Sequence, residues 1–155
     1  MNRVLDICRF IINYSNGQGY DISNLKLQKL LYFVQAYFLI SVHELCFAEG
    51  IEAWDFGPVV PEAYHEYKRY GNMDIPPVTS YFERERNHEL TKHDFDEECI
   101  APNNRRRIRD VVDNFAEYTA SELVELTHGQ SPWKDAYVPG ENRLINRESI
   151  ERYFA

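Results

Sequence analysis

Few residues of this chain stand in patterns that do chemistry. His43 and Cys46 offer two metal ligands. A tetrahedral site needs a second pair at fixed geometry, and no such pair stands nearby. His88, His93 and Cys99 form a looser set in an irregular, acidic stretch, and they read as surface residues. Glu62 and Glu66 lie one helical turn apart, with His65 between them. Paired carboxylates work as acid and base when their surroundings split their pKa values. Lys68 and Arg69 follow on the same segment, so a solvated charged face accounts for the pattern better. A hydrolase built on Glu62, Glu66 and His65 is the remote alternative.

Nucleophilic and phosphate-binding patterns are equally thin. No Gly-x-Ser-x-Gly elbow occurs. Cys8 and Cys46 sit in apolar runs, which raise a thiol's pKa and make it inert. Gly17 and Gly19 lack the third glycine and the preceding strand of a dinucleotide fingerprint. Arg105, Arg106, Arg107 and Arg109 are the one basic cluster, and Asp110 and Asp113 follow at once. A solvated face, or pairing with the acidic residues 94–98, fits these arginines better than nucleic-acid phosphate does. No catalytic residue, metal or cofactor is assigned, and the chain is expected not to be an enzyme.

Composition narrows the class. At 155 residues one domain over 1–155 is the natural reading. Hydrophobic residues at 44% and charged residues at 27% match a folded globular chain and exclude dominant disorder. The formal net charge is −8 and both halves are acidic, which disfavours nucleic acid as the default partner. Three widely spaced cysteines read as reduced thiols of a cytoplasmic protein. The first ten residues lack a signal core. The most apolar run, Leu30 to Val42, is too short for a membrane span, so no membrane is expected.

The elements that would carry these residues are mainly α. The spacing predicts a helix over Arg3 to Tyr14, stopped by the glycines at 17 and 19. A second runs from Ser23 to Leu39, capped by Ser23 or Asp21 and apolar around so much of its circumference that it should be central. A small hairpin is expected within Leu45 to Asp55, with Gly50 in its turn. Pro61 opens a helix that ends at Gly71. Residues 72–104 read as a loop with one short helix. Further helices follow over Asn104 to Tyr118, from Thr119 to Gly129, on Ser131-Pro132-Trp133 with Ser131 as cap and Pro132 in the first turn, and over Arg147 to Phe154. Thr119 and Glu122 form a capping box, and Leu123, Val124 and Leu126 are expected to face inward. The fold class is a compact domain of six to seven helices with one small β-hairpin.

Aromatic content is the remaining signal. Eleven Tyr, nine Phe and two Trp make 14% of the chain. Such residues are common in cores and also at interface hot spots, so they support a protein-binding module weakly. Self-association stays open on the same ground.

Three stretches together resemble a known family. They are LKLQKLLYFVQAYFL (Leu25 to Leu39), IEAWDFGPVVPEAYHEYKRYG (Ile51 to Gly71) and ELVELTHGQSPWKDA (Glu122 to Ala136). Their order and spacing look like the Panacea-domain antitoxins, also called SocA-like or GepA-like phage-associated proteins. The middle stretch is the most specific, with Trp54 before Gly57-Pro58 and then Pro61 and Tyr64. The resemblance implies a mainly helical, often prophage-encoded antitoxin of a toxin–antitoxin system, which neutralises a cognate toxin by direct binding. It also implies that no catalytic residues belong to the pattern, and that some members deliver a toxin to a protease. An accessory adaptor that binds a non-toxin protein, such as a protease or replication factor, is the alternative. The motif residues Lys29, Leu30, Tyr32, Trp54, Gly57, Pro58, Pro61, Tyr64, His128, Pro132 and Trp133 are then scaffold or partner contacts. Gly57 and Pro58 would make a tight turn presenting Trp54. One departure is Val42-His43-Glu44, where the resemblance leads one to expect a glycine after the second helix. No added DNA-binding domain is recognised, so autorepression by this chain alone is not expected.

Overall fold

The computed structural model describes residues 1–155. Helix α1 (Val4–Gln18) buries Val4, Ile7, Cys8, Ile11 and Ile12 at helical spacing. It runs one turn further than the sequence suggests. Asn16 donates to the Ile12 carbonyl and to the Ile75 carbonyl, which holds the last turn despite Gly17. Gly19, at φ 76°, closes it in the left-handed conformation.

Helix α2 (Asn24–Ser41) opens at Ser23, whose hydroxyl accepts from the Lys26 N–H. It is buried around its whole circumference over Lys26–Ala36, as its apolar sequence predicts. It therefore carries polar side chains into the interior, and each finds a distant partner. Gln35 accepts from the Cys46 N–H at 2.7 Å and donates to the Phe47 carbonyl at 2.8 Å. Lys26 donates to the Ala116 carbonyl at 3.0 Å. A buried amide or amine without a partner would cost about 1–3 kcal/mol, so these bonds fix which loops may pack on α2. The exit of α2 lacks the expected glycine. His43 takes the left-handed backbone instead, at φ 59°, and Arg147 donates to its carbonyl.

The first hairpin is β1 (Ile51–Trp54) with β2 (Gly57–Val59), and its two-residue turn is Asp55-Phe56. Gly50 precedes it and is not in the turn. The left-handed residue that lets the strands re-pair is Gly57. Pro58 sits in β2, an edge strand of the order β2-β1-β5, where a missing N–H is tolerated. Helix α3 (Pro61–Tyr67) starts on Pro61 and continues as a 3₁₀ turn to Tyr70, with Gly71 at φ 58° ending it.

The stretch 72–104 holds more than the loop and short helix that the sequence suggests. It holds a second hairpin, β3 (Ser80–Arg84) with β4 (Leu90–Asp94), and then a 3₁₀ turn over Glu97–Cys99. Its half-buried face carries Tyr81, Glu83, Thr91 and His93, while Phe82 and Leu90 are exposed. A face of charged and polar residues hides the alternation by which strands are recognised.

Helix α4 (Pro102–Asn114) buries Ile108, Val111 and Val112. Helix α5 (Ala120–His128) opens on the Thr119–Glu122 capping box and ends at Gly129. Leu123 and Thr127 face inward on it, whereas Leu126 is exposed because it lies off that i, i+4 stripe. Helix α6 (Ser131–Ala136) is preceded by Gln130 rather than capped by Ser131, and has Pro132 in its first turn. Strand β5 (Leu144–Ile145) adds to β1, and helix α7 (Arg147–Phe154) starts from an Asn146 cap. One cluster of 31 buried hydrophobic residues runs from Val4 to Ile150. The fold is mainly α, with two small antiparallel sheets where the sequence suggested one hairpin.

Candidate partner-binding face

The family-motif residues of three distant stretches meet at the first hairpin. Lys29 lies in the middle of α2 with no exposed surface. Its Nζ donates to the Pro58 carbonyl at 2.9 Å. Burial pushes this amine down to about 7. Gly57 packs directly on it. A Cβ at position 57 would stand 2.8 Å from Lys29 Cε and 2.8 Å from Thr127 Oγ1, and its φ of +102° disfavours any side chain. The glycine is therefore required by close approach as well as by backbone conformation.

A polar relay straps the start of α3 to the same helix. The Val60 N–H donates to Gln28 Oε1 at 3.0 Å, and Gln28 donates to Asn24 Oδ1 at 2.9 Å. Asn24 in turn donates to the Tyr64 carbonyl at 3.1 Å. One turn further along α2, the buried Tyr32 hydroxyl donates to Gln130 Oε1 at 2.8 Å and ties α2 to the entrance of α6.

The Asp55-Phe56 turn is held from the other side by rings. Trp133 Nε1–H donates to the Trp54 carbonyl at 2.8 Å. His128 Nε2 lies 2.9 Å from the Asp55 carbonyl, which only accepts, so this nitrogen carries the proton. The Tyr137 hydroxyl donates to the Asp55 carboxylate. These three side chains stack as one pile, His128 on Trp133 at 4.1 Å and Trp133 on Tyr137 at 4.5 Å between ring centroids. On the opposite side Trp54 meets the edge of Tyr64 at 5.0 Å. The outcome is a turn fixed by backbone and ring contacts that presents Phe56, 67% exposed, at its tip. A cleft of about 290 Å³ opens beside it, lined in part by Leu25, Trp54, Phe56, Tyr64 and Asn142.

Of the residues singled out in the sequence, Lys29, Trp54, Gly57, Pro58, Tyr64, His128 and Trp133 converge here. Leu30 belongs to the core, Pro61 and Pro132 start helices, and Tyr32 acts through Gln130. Asp55, Phe56 and Tyr137 are additions. Tyr137 follows Trp133 by four residues, a spacing that places both rings on one side of a helical turn. Gln28 and Asn24 are also additions, and their polar i, i+4 pair in an apolar helix was the available signal.

The other candidate groups disperse. His43 is exposed, while Cys46 is buried and its thiol is pushed up to about 12. Burial raises the Cys8 thiol as well. Glu62, His65 and Glu66 are exposed on α3, and His65 points an edge at Trp54. Arg105 pairs with Glu97 at 3.2 Å, Arg107 donates to Asn104, and Arg109 lies 6.0 Å over the Phe10 ring. Three of the four arginines thus find partners within the chain, at half-buried positions. His93 gathers with Glu83 and Glu85 rather than with His88 and Cys99. No helix is long and apolar enough to cross a membrane.

Comparison with known proteins agrees with this arrangement. A family described as "Antitoxin SocA-like, Panacea domain" matches residues 27–134, which include every motif residue from Lys29 to Trp133. The protein named Antitoxin SocA from Caulobacter vibrioides (strain NA1000 / CB15N) is 46% identical over 65 residues. That stretch is 42% of this chain and 35% of the relative, so the match spans about a third of the relative's length. No solved structure matches. With the family pattern covering most of the chain and its motif residues closing on one turn, the chain belongs to the SocA-like, Panacea-domain antitoxin family.

Proposed function

We propose that this chain is a type II antitoxin that neutralises a cognate toxin protein by binding it directly, and that it is not an enzyme. The observation that carries this reading is the match to the antitoxin family over the residues that build the Asp55-Phe56 turn. Phe56 is a large apolar side chain held out on a rigid support, the arrangement from which interface hot spots are made. The net charge of −8 adds a field that speeds encounter with a basic partner.

Co-expression tests the reading. The product of the adjacent open reading frame is induced in a host cell alone and together with this chain. Growth arrest by the neighbour, relieved by this chain and accompanied by co-purification of the two, is the expected result. A harmless neighbour, or arrest that persists with this chain present, contradicts it.

A further inference from the structure

We propose that the half-buried face of the β3–β4 hairpin is a binding site for a divalent transition metal of the zinc type, with Glu83, Glu85 and His93 as its ligands. Register brings the three together. Tyr81 pairs with His93 and Glu83 with Thr91, so Glu83 and His93 are diagonal neighbours on one face, and Glu85 follows two residues after Glu83. Their donor atoms all lie within 4.8 Å of one another.

The carboxylate distances match those of ligands that share one ion, and the nearest partner of His93 Nε2 is Thr91 Oγ1 at 3.0 Å, a contact that a bound ion would replace. His93 Nε2 stands 3.3 Å from Glu85 Oε1 and 3.5 Å from Glu83 Oε2. A charge-assisted N–H···O bond closes to about 2.7–2.9 Å. Two ligands on a tetrahedral ion, with bonds of about 2.0–2.2 Å, stand about 3.3–3.6 Å apart. An imidazole with two carboxylates suits zinc and its first-row neighbours, whereas calcium and magnesium take oxygen alone.

Groups outside the set orient each ligand, as metal sites require. Arg3, at the start of α1, binds Oε1 of Glu83 and leaves Oε2 facing His93. Thr91 donates to Glu85 Oε1, the oxygen that also faces His93 Nε2. The Tyr81 ring stacks on the His93 ring at 5.5 Å, and the buried Arg9 guanidinium lies 3.3 Å over the Tyr81 ring. The ligands are 37–44% exposed, so an ion enters without opening the fold, and a fourth position is left for water or a partner's donor. The site is independent of the toxin-binding reading.

The test uses the untagged full-length chain, stripped with chelator and titrated with zinc chloride by calorimetry, with thermal unfolding and the cobalt(II) visible spectrum alongside. The expected result is one zinc per chain, a rise in Tm, and a tetrahedral cobalt band. His93→Ala, Glu83→Gln and Glu85→Gln each weaken binding at least tenfold and abolish the Tm rise, while His88→Ala changes neither. Glu83→Gln and Glu85→Gln keep side-chain shape, so they decide the matter even if His93→Ala disturbs the hairpin. The absence of saturable binding, or equal affinity in all four variants, overturns the proposal and leaves the three residues as an ion-pair cluster.

Discussion

Lys29 Nζ donates to the Pro58 carbonyl at 2.9 Å, in a site so closed that the amine has no exposed surface. The bond joins the centre of α2 to the first hairpin, which carries the most specific stretch of the family pattern. It also places a titratable cation where the interior disfavours charge.

That placement makes stability depend on pH. The amine is lowered from 10.5 to about 7 by burial. Below about 7 the folded and unfolded chains both hold the proton, and the folded chain bears the buried charge. As pH rises through 7, the folded chain has released the proton and the unfolded chain has not, so stability rises toward 10.5. The slope reaches at most about 1.4 kcal/mol per pH unit. Urea unfolding between pH 7 and 8.5 should show a gain of about 1–2 kcal/mol. Lys29→Met should flatten most of it. Above about 9 the buried Cys8 and Cys46 thiols, raised by burial, oppose the trend. An unchanged slope in Lys29→Met would show that Lys29 is not the titrating group.

Gly57→Ala should destabilise the fold by about 2–4 kcal/mol in the same assay. The added methyl meets Lys29 Cε and Thr127 Oγ1, both at 2.8 Å, in a backbone conformation that alanine resists. Gly17→Ala is the control. Nothing stands within 4 Å of a Cβ there, and alanine in a helix should stabilise by about 0.5–1 kcal/mol.

Tyr32→Phe should cost about 1–3 kcal/mol, because it leaves the buried Gln130 Oε1 without its donor. Pairing it with Gln130→Leu should recover part of the loss. Additive losses in the double-mutant cycle would show that the two side chains do not act through each other.

Much of this arrangement was readable before the structure. The central position of α2 followed from its apolar circumference, and the start of α5 from Thr119 and Glu122. The motif residues were identifiable by resemblance, but their convergence was not. Lys29, Gly57 and Trp133 are far apart in sequence, and only packing places the glycine on the lysine. The second hairpin escaped because Glu83 and His93 occupy its half-buried face, which breaks the apolar alternation that betrays a strand. Strand β5 escaped because two residues carry no period. His43 stands where a glycine was expected, in the left-handed conformation, and its carbonyl accepts from Arg147, more than a hundred residues later.

The proposed toxin-binding face is the Asp55-Phe56 turn. Phe56 is two-thirds exposed and contributes little to folding, so Phe56→Asp should alter stability by no more than about 0.5 kcal/mol. Calorimetric titration of the purified neighbouring toxin with wild-type chain and with Phe56→Asp tests this face. A saturable complex with wild type that is weakened at least thirtyfold by Phe56→Asp, with folding intact, is the predicted result. Equal affinity of the two proteins for the toxin would contradict this face, and no complex with wild type would contradict direct binding itself.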